Sequence, residues 1–361
     1  MGKLKELLAL AQDAHDQEDY FEEMELLKQA VKLSPGKKDS ALIYEKFGTS
    51  LYLQGRREEA KQYYFLALDN LSNIPQNEAE EYIWLINDYL GAVFYDDGDY
   101  EKALFYKLKA YEYIEHLEPE DAFMLLTAIG VNQEKLQAYD SAIDFYLKAL
   151  EIPDTPDEDK VMILRFLGQC YDKRGEDRKA FEYYHNLFVI DQDYDDGGWY
   201  LTYRFAQLSY RFGNYEDSIT YFKKVIPQIP TDQIDYLESS YQLLGYNYLA
   251  KKEFELALNE LMKASKLKTD SSDKYGYIYC GIAQAYFGLN KIKKTIRFGL
   301  KALDERLDEV IQEKVYYLLA YSYFLKRNDK EAKVYLEKLR SLKPDSGYLR
   351  ELEQDFVTIK G

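Results

Sequence analysis

Residues 241–248 have the sequence Tyr241-Gln-Leu-Leu-Gly245-Tyr-Asn-Tyr248, and Ala257 follows twelve positions after the glycine. The same arrangement recurs along the chain, with a small or apolar residue 12, 16 or 19 positions after a glycine. The copies are Gly48 with Ala60, Tyr64 and Ala67; Gly91 with Ala103 and Ala110; Gly130 with Ala142, Tyr146 and Ala149; Gly168 with Ala180 and Tyr184; and Gly245 with Ala257, Leu261 and Ala264. Turn-like stretches such as Asp97-Gly98-Asp99-Tyr100 lie between these positions. Each copy therefore predicts a helix, a tight turn and a second helix.

The recurring small residues have a packing explanation. Two helices can cross closely only where the residue at the contact is small, since a larger side chain pushes their axes apart. We interpret the glycines and alanines as packing residues.

The pattern resembles the tetratricopeptide repeat, which has an aromatic residue, Leu-Gly, a tyrosine three positions later, then alanine and a closing proline. Weaker copies place Ala11, Ala206, Ala283 and Ala320 at the glycine position. This resemblance implies an all-α fold: a right-handed α-solenoid of about nine repeats over residues 1–345, followed by a C-terminal capping helix and tail over residues 346–361. The repeats start near residues 4, 41, 84, 123, 161, 199, 238, 276 and 313.

The repeats are longer than the family pattern. Gly48, Gly91, Gly130 and Gly168 are separated by 43, 39 and 38 residues, against about 34 in the usual repeat. The chain thus resembles a long-repeat variant of about 38 residues, a group that includes bacterial sensors of signalling peptides.

The composition excludes several classes of protein. The 361 residues carry a formal charge of −17, which repels nucleic-acid phosphates. No stretch is apolar enough to span a membrane, and no export signal is visible. The two cysteines, Cys170 and Cys280, are far apart in the sequence. We therefore expect a cytoplasmic protein that binds neither nucleic acid nor membranes.

Motifs for catalysis are missing from the sequence. His15, His116 and His185 fall in different predicted repeats, and there is no HExxH, GxxxxGK[ST] or GxGxxG motif. Asp191, Asp193 and Asp195 have the alternate spacing of a calcium-binding loop, but Asp196 and Thr202 stand where that loop needs glycine and glutamate. We interpret this segment as a solvated acidic turn and expect no enzyme activity, metal or cofactor. A hydrolase or metal site in the groove remains a third possibility.

The resemblance also implies where a ligand binds. In such repeats the first helix lines the concave groove, and at about 100° per residue the positions three before, one after and four or five after the small residue share one face. Repeats five to eight place cations, amides and tyrosines on that face. The candidate residues are Arg165, Gln169, Lys173, Tyr203, Arg204, Gln207, Tyr210, Arg211, Gln242, Tyr246 and Gln284.

Four cations on one face of an acidic protein favour a carboxylate or an acidic segment, and glutamines can hydrogen-bond both N–H and C=O groups of a peptide backbone. We expect a non-catalytic protein-binding scaffold whose groove binds a protein or an extended peptide, acidic or C-terminal. Two alternatives stay open. One is that these side chains form a solvated polar face; the other is a bacterial regulator that responds to a signalling peptide and acts on another protein.

Overall fold

The structure is a computed structural model that describes residues 2–194, 198–267 and 275–360. These residues form nineteen α-helices and no strand, which confirms the predicted all-α repeat fold. Eighteen of the helices pair into nine helical hairpins. The chain divides into two compact units, Met1–Asp193 and Tyr194–Gly361. One continuous solenoid over residues 1–345 stays a prediction.

The N-terminal unit holds five hairpins. Their helices are α1 (Gly2–Asp16) with α2 (Tyr20–Leu33), α3 (Lys37–Leu53) with α4 (Arg57–Leu71), α5 (Gln76–Asp96) with α6 (Tyr100–Tyr111), α7 (Pro119–Lys135) with α8 (Tyr139–Leu150), and α9 (Asp157–Lys173) with α10 (Asp177–Ile190).

The C-terminal unit holds four hairpins and one more helix. Its helices are α11 (Tyr200–Arg211) with α12 (Tyr215–Val225), α13 (Ile234–Ala250) with α14 (Phe254–Ala264), α15 (Tyr275–Gly288) with α16 (Ile292–Leu303), α17 (Glu309–Leu325) with α18 (Asp329–Leu342), and α19 (Gly347–Lys360).

The turn inside every described hairpin contains one residue with a left-handed backbone. Their φ angles lie between 55° and 79°, a region that costs little for glycine and more for other residues. The nine residues are Glu18, Gly55, Gly98, Gln137, Gly175, Gly213, Lys252, Asn290 and Arg327. In the third hairpin, Gly98 N–H donates to the Tyr95 carbonyl at 2.9 Å and Asp99 N–H donates to the Phe94 carbonyl at 3.0 Å. This pattern ends the first helix and turns the chain back within two or three residues.

Three of the recurring glycines contact a tyrosine ring from the second helix of their own hairpin. A Cβ atom built on Gly48, Gly130 or Gly168 would lie within 3.0 Å of three ring atoms. The rings are those of Tyr64, Tyr146 and Tyr184, and all three side chains are buried. The glycines are therefore needed for close helix packing, as the spacing of 16 residues predicts.

In the third hairpin a lysine side chain replaces the tyrosine ring at this contact. Lys107 stands where the second, fourth and fifth hairpins have tyrosine, and its aliphatic stem covers Gly91. Its ammonium group lies 2.5 Å from a carboxylate oxygen of Asp88 on the first helix. Because Lys107 is buried, this ion pair lets a charged side chain fill an apolar position.

Helix α19 packs on the last hairpin through Leu349 and Leu352, which are both buried. The Tyr317 hydroxyl on α17 donates to Glu351 at 2.8 Å. Just before α19, the Ser346 hydroxyl donates to Glu313 on α17 at 2.5 Å. The C-terminal segment is thus tied to the first helix of the ninth hairpin by polar as well as apolar contacts.

Candidate functional site

In the N-terminal unit, the three predicted ligand-binding residues lie on α9. Arg165, Gln169 and Lys173 are four residues apart, so they follow one face of the helix. Lys173 is exposed at the end of α9, whereas Arg165 and Gln169 are half-buried.

Arg165 has an incompletely satisfied guanidinium group. Its Cζ atom lies 4.3 Å from the centroid of the Phe166 ring, a cation–π contact. Its buried Nε has no hydrogen-bond acceptor among the described residues. A buried N–H without an acceptor is costly, so a carboxylate or carbonyl oxygen supplied by a ligand would be bound favourably at this position.

In the C-terminal unit, three of the predicted residues on α11 contact one another. Arg204 Nη1 donates to the Gln207 Oε1 atom at 2.5 Å. Gln207 Nε2 donates to the Tyr203 hydroxyl at 3.4 Å, and that hydroxyl donates to Ser239 on α13 at 3.3 Å. Each end of the Gln207 amide therefore makes one bond within α11, and a peptide backbone could use only the second N–H of Nε2 and the second lone pair of Oε1.

Tyr203 packs in an aromatic cluster instead of facing solvent. Its ring centroid lies 5.1 Å from Tyr236 and 6.1 Å from Trp199 and from Phe222. Burial raises the pKa of Tyr203, so its hydroxyl stays protonated and able to donate. The sequence could not predict this burial because the neighbouring hairpin supplies Tyr236.

Tyr246 also connects two hairpins. Its hydroxyl donates to the backbone carbonyl of Tyr277 on α15 at 2.7 Å, and burial raises its pKa well above the ordinary value. Tyr277 in turn donates through its hydroxyl to Asp308, which precedes α17, at 2.6 Å. These hydroxyl groups stabilise the stacking of successive hairpins.

The remaining predicted residues of this unit are more accessible. Arg211 is exposed at the end of α11, and Gln242 is half-buried on α13. The half-buried Tyr210 ring lies 6.2 Å from the ring of Tyr215.

Gln284 lines a cavity of about 270 Å³, which includes residues that sequence reasoning missed. Its described lining residues include Lys252 and Lys314, the aromatic side chains Phe287 and Tyr348, and no acidic residue. The carboxylate of Glu351 lies beside this lining, where it accepts from the Tyr317 hydroxyl. Lys314 is half-buried on α17 and forms no ion pair with any described residue. The cavity therefore combines a positive potential with apolar walls, which suits a carboxylate carried on an apolar or extended segment.

A one-turn extension of the sequence rule would have found Lys314. It lies six residues before Ala320. At about 100° per residue that position falls between the directions of the positions one and five after the small residue, on the face predicted to line the groove. The predicted candidate residues include no position earlier than three residues before the small residue, and none of them lies in the ninth repeat.

The described residues contain no group of histidine, cysteine, aspartate and glutamate side chains that could hold a metal ion. Burial raises the pKa of both Cys170 and Cys280 to about 12, so these thiols are poor nucleophiles at neutral pH. In the possible calcium loop, the backbone N–H of Asp193 donates to the Asp191 carboxylate at 3.1 Å. Asp195 and Asp196 lie outside the described residues.

None of the helices in the described part of the chain is both long enough and apolar enough to cross a bilayer.

The geometry defines a helical-hairpin repeat protein with polar and aromatic side chains on the first helices of its hairpins. The tetratricopeptide repeat family model matches residues 238–271 and 313–346. These matches cover the seventh hairpin, α13 and α14, and the ninth, α17 and α18. The chain therefore contains tetratricopeptide repeats. Tetratricopeptide repeats generally serve as non-catalytic scaffolds for protein interaction.

Several solved structures of helical repeats are similar to the chain. A tetratricopeptide repeat protein from Parabacteroides merdae is 18% identical over 74% of this chain and 96% of its own, with a TM-score of 0.39. The C-terminal part of a repeat protein from Cytophaga hutchinsonii is 18% identical over 73% and 97%, with a TM-score of 0.43. MamA from Desulfovibrio magneticus is 23% identical over 52% and 98%, with a TM-score of 0.41. No curated protein sequence matches the chain.

Proposed function

We propose that the chain is a non-catalytic scaffold that binds an extended peptide bearing acidic side chains or a free C-terminal carboxylate. The main binding surface is the first-helix face of the C-terminal unit, formed by α11, α13, α15 and α17. The observation that carries the proposal is the cavity beside Gln284, where Lys252 and Lys314 meet aromatic walls and none of the described lining residues is acidic.

Charge is the reason for preferring an acidic ligand. The chain as a whole has a formal charge of −17. A cavity whose charged residues in the described lining are two lysines therefore attracts anions more strongly than the rest of the surface does. The Lys314 side chain is half-buried and thus partly shielded from water. Because charges attract more strongly where less water surrounds them, it binds a carboxylate more strongly than a lysine at an open surface does. Apolar contact with Phe287 and Tyr348 adds to the binding energy of the segment that carries the carboxylate.

The α9 residues Arg165, Gln169 and Lys173 are proposed as a separate cationic strip of the N-terminal unit with the same preference. Their contribution rests on the buried Arg165 Nε atom that has no acceptor among the described residues. The two buried thiols, Cys170 and Cys280, which form no disulfide, support a reducing cytoplasm as the proposed location.

The test compares two pools of fluorescein-labelled decapeptides by anisotropy, one with glutamate or aspartate at every second position and one with lysine or arginine. We expect the acidic pool to bind more tightly. Lys314→Met keeps the aliphatic stem and should weaken the acidic pool about tenfold, or about 1.4 kcal/mol. Lys333→Met on α18 removes an equally charged but exposed side chain and is the matched control.

Equal affinity of the two pools, or unchanged affinity in Lys314→Met, would contradict the proposal. Amidating the peptide C-terminus distinguishes the two ligand types, because only recognition of the terminal carboxylate is lost. Arg165→Ala and Arg204→Ala, tested separately, show whether the α9 and α11 cations contribute. Unchanged affinity in both variants would show that the cations of α9 and α11 do not contribute to peptide binding.

A further inference from the structure

A second cavity, of about 990 Å³, lies within the N-terminal unit between α7, α9 and the segment that joins α8 to α9. Its apolar lining includes Phe123 and Met124 from α7, Ile152 and Pro153 from the joining segment, and Met162 from α9. Met124 is 62% exposed. The cavity thus presents apolar surface that the described residues of the unit leave uncovered.

The charged residues of this cavity all have the same sign. Its described lining residues include Glu118, Glu120, Asp154 and Asp159, and no lysine, arginine or histidine. None of these four carboxylates forms an ion pair in the described part of the chain. The potential at the cavity is therefore negative, opposite to that of the cavity beside Gln284.

The repeat geometry creates the cavity. Met124 and Met162 lie six residues before Gly130 and Gly168, so they occupy the same position in consecutive hairpins. They are two of the five methionines in the chain. Because thioether side chains are flexible and polarisable, a methionine pair can adapt to apolar side chains of different shapes.

One buried polar group at the cavity also lacks a partner. Thr127 is 9% exposed and lines the cavity, and its hydroxyl has no hydrogen-bond partner among the described residues. A backbone or side-chain group that enters the cavity can satisfy this hydroxyl. The site therefore offers apolar contact, negative charge and one hydrogen-bonding group together.

We propose that this cavity binds a basic amphipathic segment of a partner protein. Apolar side chains of the segment pack against Met124, Met162 and Phe123, and its lysine or arginine side chains contact the four carboxylates. A volume of about 990 Å³ is at the upper end of ordinary ligand cavities, so it accommodates several side chains of one helical turn. The proposal is separate from the one for the cavity beside Gln284, because it concerns other residues, the other unit and the opposite charge. It uses none of the α9 cations Arg165 and Lys173, which do not line this cavity.

The probe is a fluorescein-labelled, sixteen-residue peptide of leucine and lysine arranged as an amphipathic helix, measured against the full chain by anisotropy. Two matched peptides replace every lysine with glutamate or every leucine with serine. We expect the leucine–lysine peptide to bind at least tenfold more tightly than either, and its affinity to fall as salt is added.

Two sets of variants locate the binding. Glu120→Gln/Asp154→Asn removes two charges, and asparagine tolerates the left-handed backbone of residue 154, where φ is 58°. This variant and Met124→Gln should each weaken the leucine–lysine peptide at least tenfold. Glu101→Gln/Glu158→Gln removes two exposed carboxylates outside the cavity lining and should change the affinity less than twofold. Thermal unfolding of each variant verifies that it is folded.

Equal affinity of the wild type and Glu120→Gln/Asp154→Asn would overturn the proposal. So would equal binding of the lysine–serine peptide, since the apolar contacts would then contribute nothing. Spermine that binds as tightly as the peptide would indicate a small-cation site and would also overturn it. Lys314→Met should leave this binding unchanged, which separates this proposal from the acidic-peptide proposal.

Discussion

Replacing Gly130 with alanine tests the packing rule on which the repeat depends. A Cβ atom at this position would lie within 2.9 Å of the Tyr146 ring atoms Cε1, Cδ1 and Cζ, closer than real carbon atoms approach. The ring cannot move aside easily. It is fully buried, it stacks on Phe166 with a centroid distance of 5.1 Å, and its hydroxyl donates to Glu134 at 3.2 Å.

The expected cost follows from two opposing terms. Overpacking a rigid core site costs up to about 3 kcal/mol, whereas replacing glycine by alanine inside a helix gains about 1 kcal/mol. We therefore expect Gly130→Ala to lower the free energy of unfolding by about 2 kcal/mol. In a Tyr146→Ala background the clash is absent, and the same substitution should gain about 1 kcal/mol. The coupling energy between the two sites is then about 3 kcal/mol.

Urea unfolding followed by circular dichroism measures these energies in the four proteins of the cycle. Gly347→Ala is the control, since a Cβ atom at Gly347 has no neighbour within 4 Å, and it should cause no loss. A coupling energy near zero would refute the reasoning, because it would mean that the Tyr146 ring does not require glycine at position 130.

Three further predictions concern titration, reactivity and the C-terminal helix. Burial raises the pKa of Glu45 above its ordinary value of 4.5, so the native state keeps a proton that the unfolded chain releases. The free energy of unfolding should therefore fall as the pH rises from 4.5. Glu45→Gln should remove the contribution of Glu45 to this decrease in the free energy of unfolding, measured by urea titration at several pH values. Identical pH profiles for the variant and the wild type would contradict the prediction. Cys170 and Cys280, with pKa values of about 12, should react with iodoacetamide at least about a hundredfold faster in urea than in the native state, and equal rates would show accessible thiols. Glu313→Ala leaves Ser346 and Lys343 without their acceptor and should cost about 1–3 kcal/mol, seen as faster proteolysis of α19; a rate equal to that of the wild type would show that these bonds do not hold the helix.

The repeat fold could be predicted because the signals are local. A glycine and an alanine twelve positions apart specify a close helix crossing and a tight turn within one hairpin, and no information from distant residues is needed. Lys107 shows the limit of this reasoning. Nothing near it in the sequence indicates that a lysine fills a tyrosine position, because the ion pair with Asp88 depends on the pairing of α5 and α6.

The candidate binding residues were harder to predict, because the contacts that occupy them come from neighbouring hairpins. Tyr203 and Tyr246 lie on the first helices as expected, but Ser239 and the Tyr277 carbonyl, from the following hairpins, accept their hydroxyl groups. Helical periodicity gives the direction of a side chain and not the distance to the next helix. The cavity with Lys314 is formed in part by α19, whose position no repeat pattern specifies.

In the C-terminal unit, tyrosine hydroxyl groups add hydrogen bonds to the apolar packing between successive hairpins. Tyr203, Tyr246 and Tyr277 each use a ring for packing and a hydroxyl for a bond to the next hairpin. A tyrosine-to-phenylalanine change would keep the packing and remove one bond, of about 1 kcal/mol. A series of such changes at these three positions would therefore weaken the contacts between successive hairpins one hydrogen bond at a time, while the apolar packing of the rings is kept.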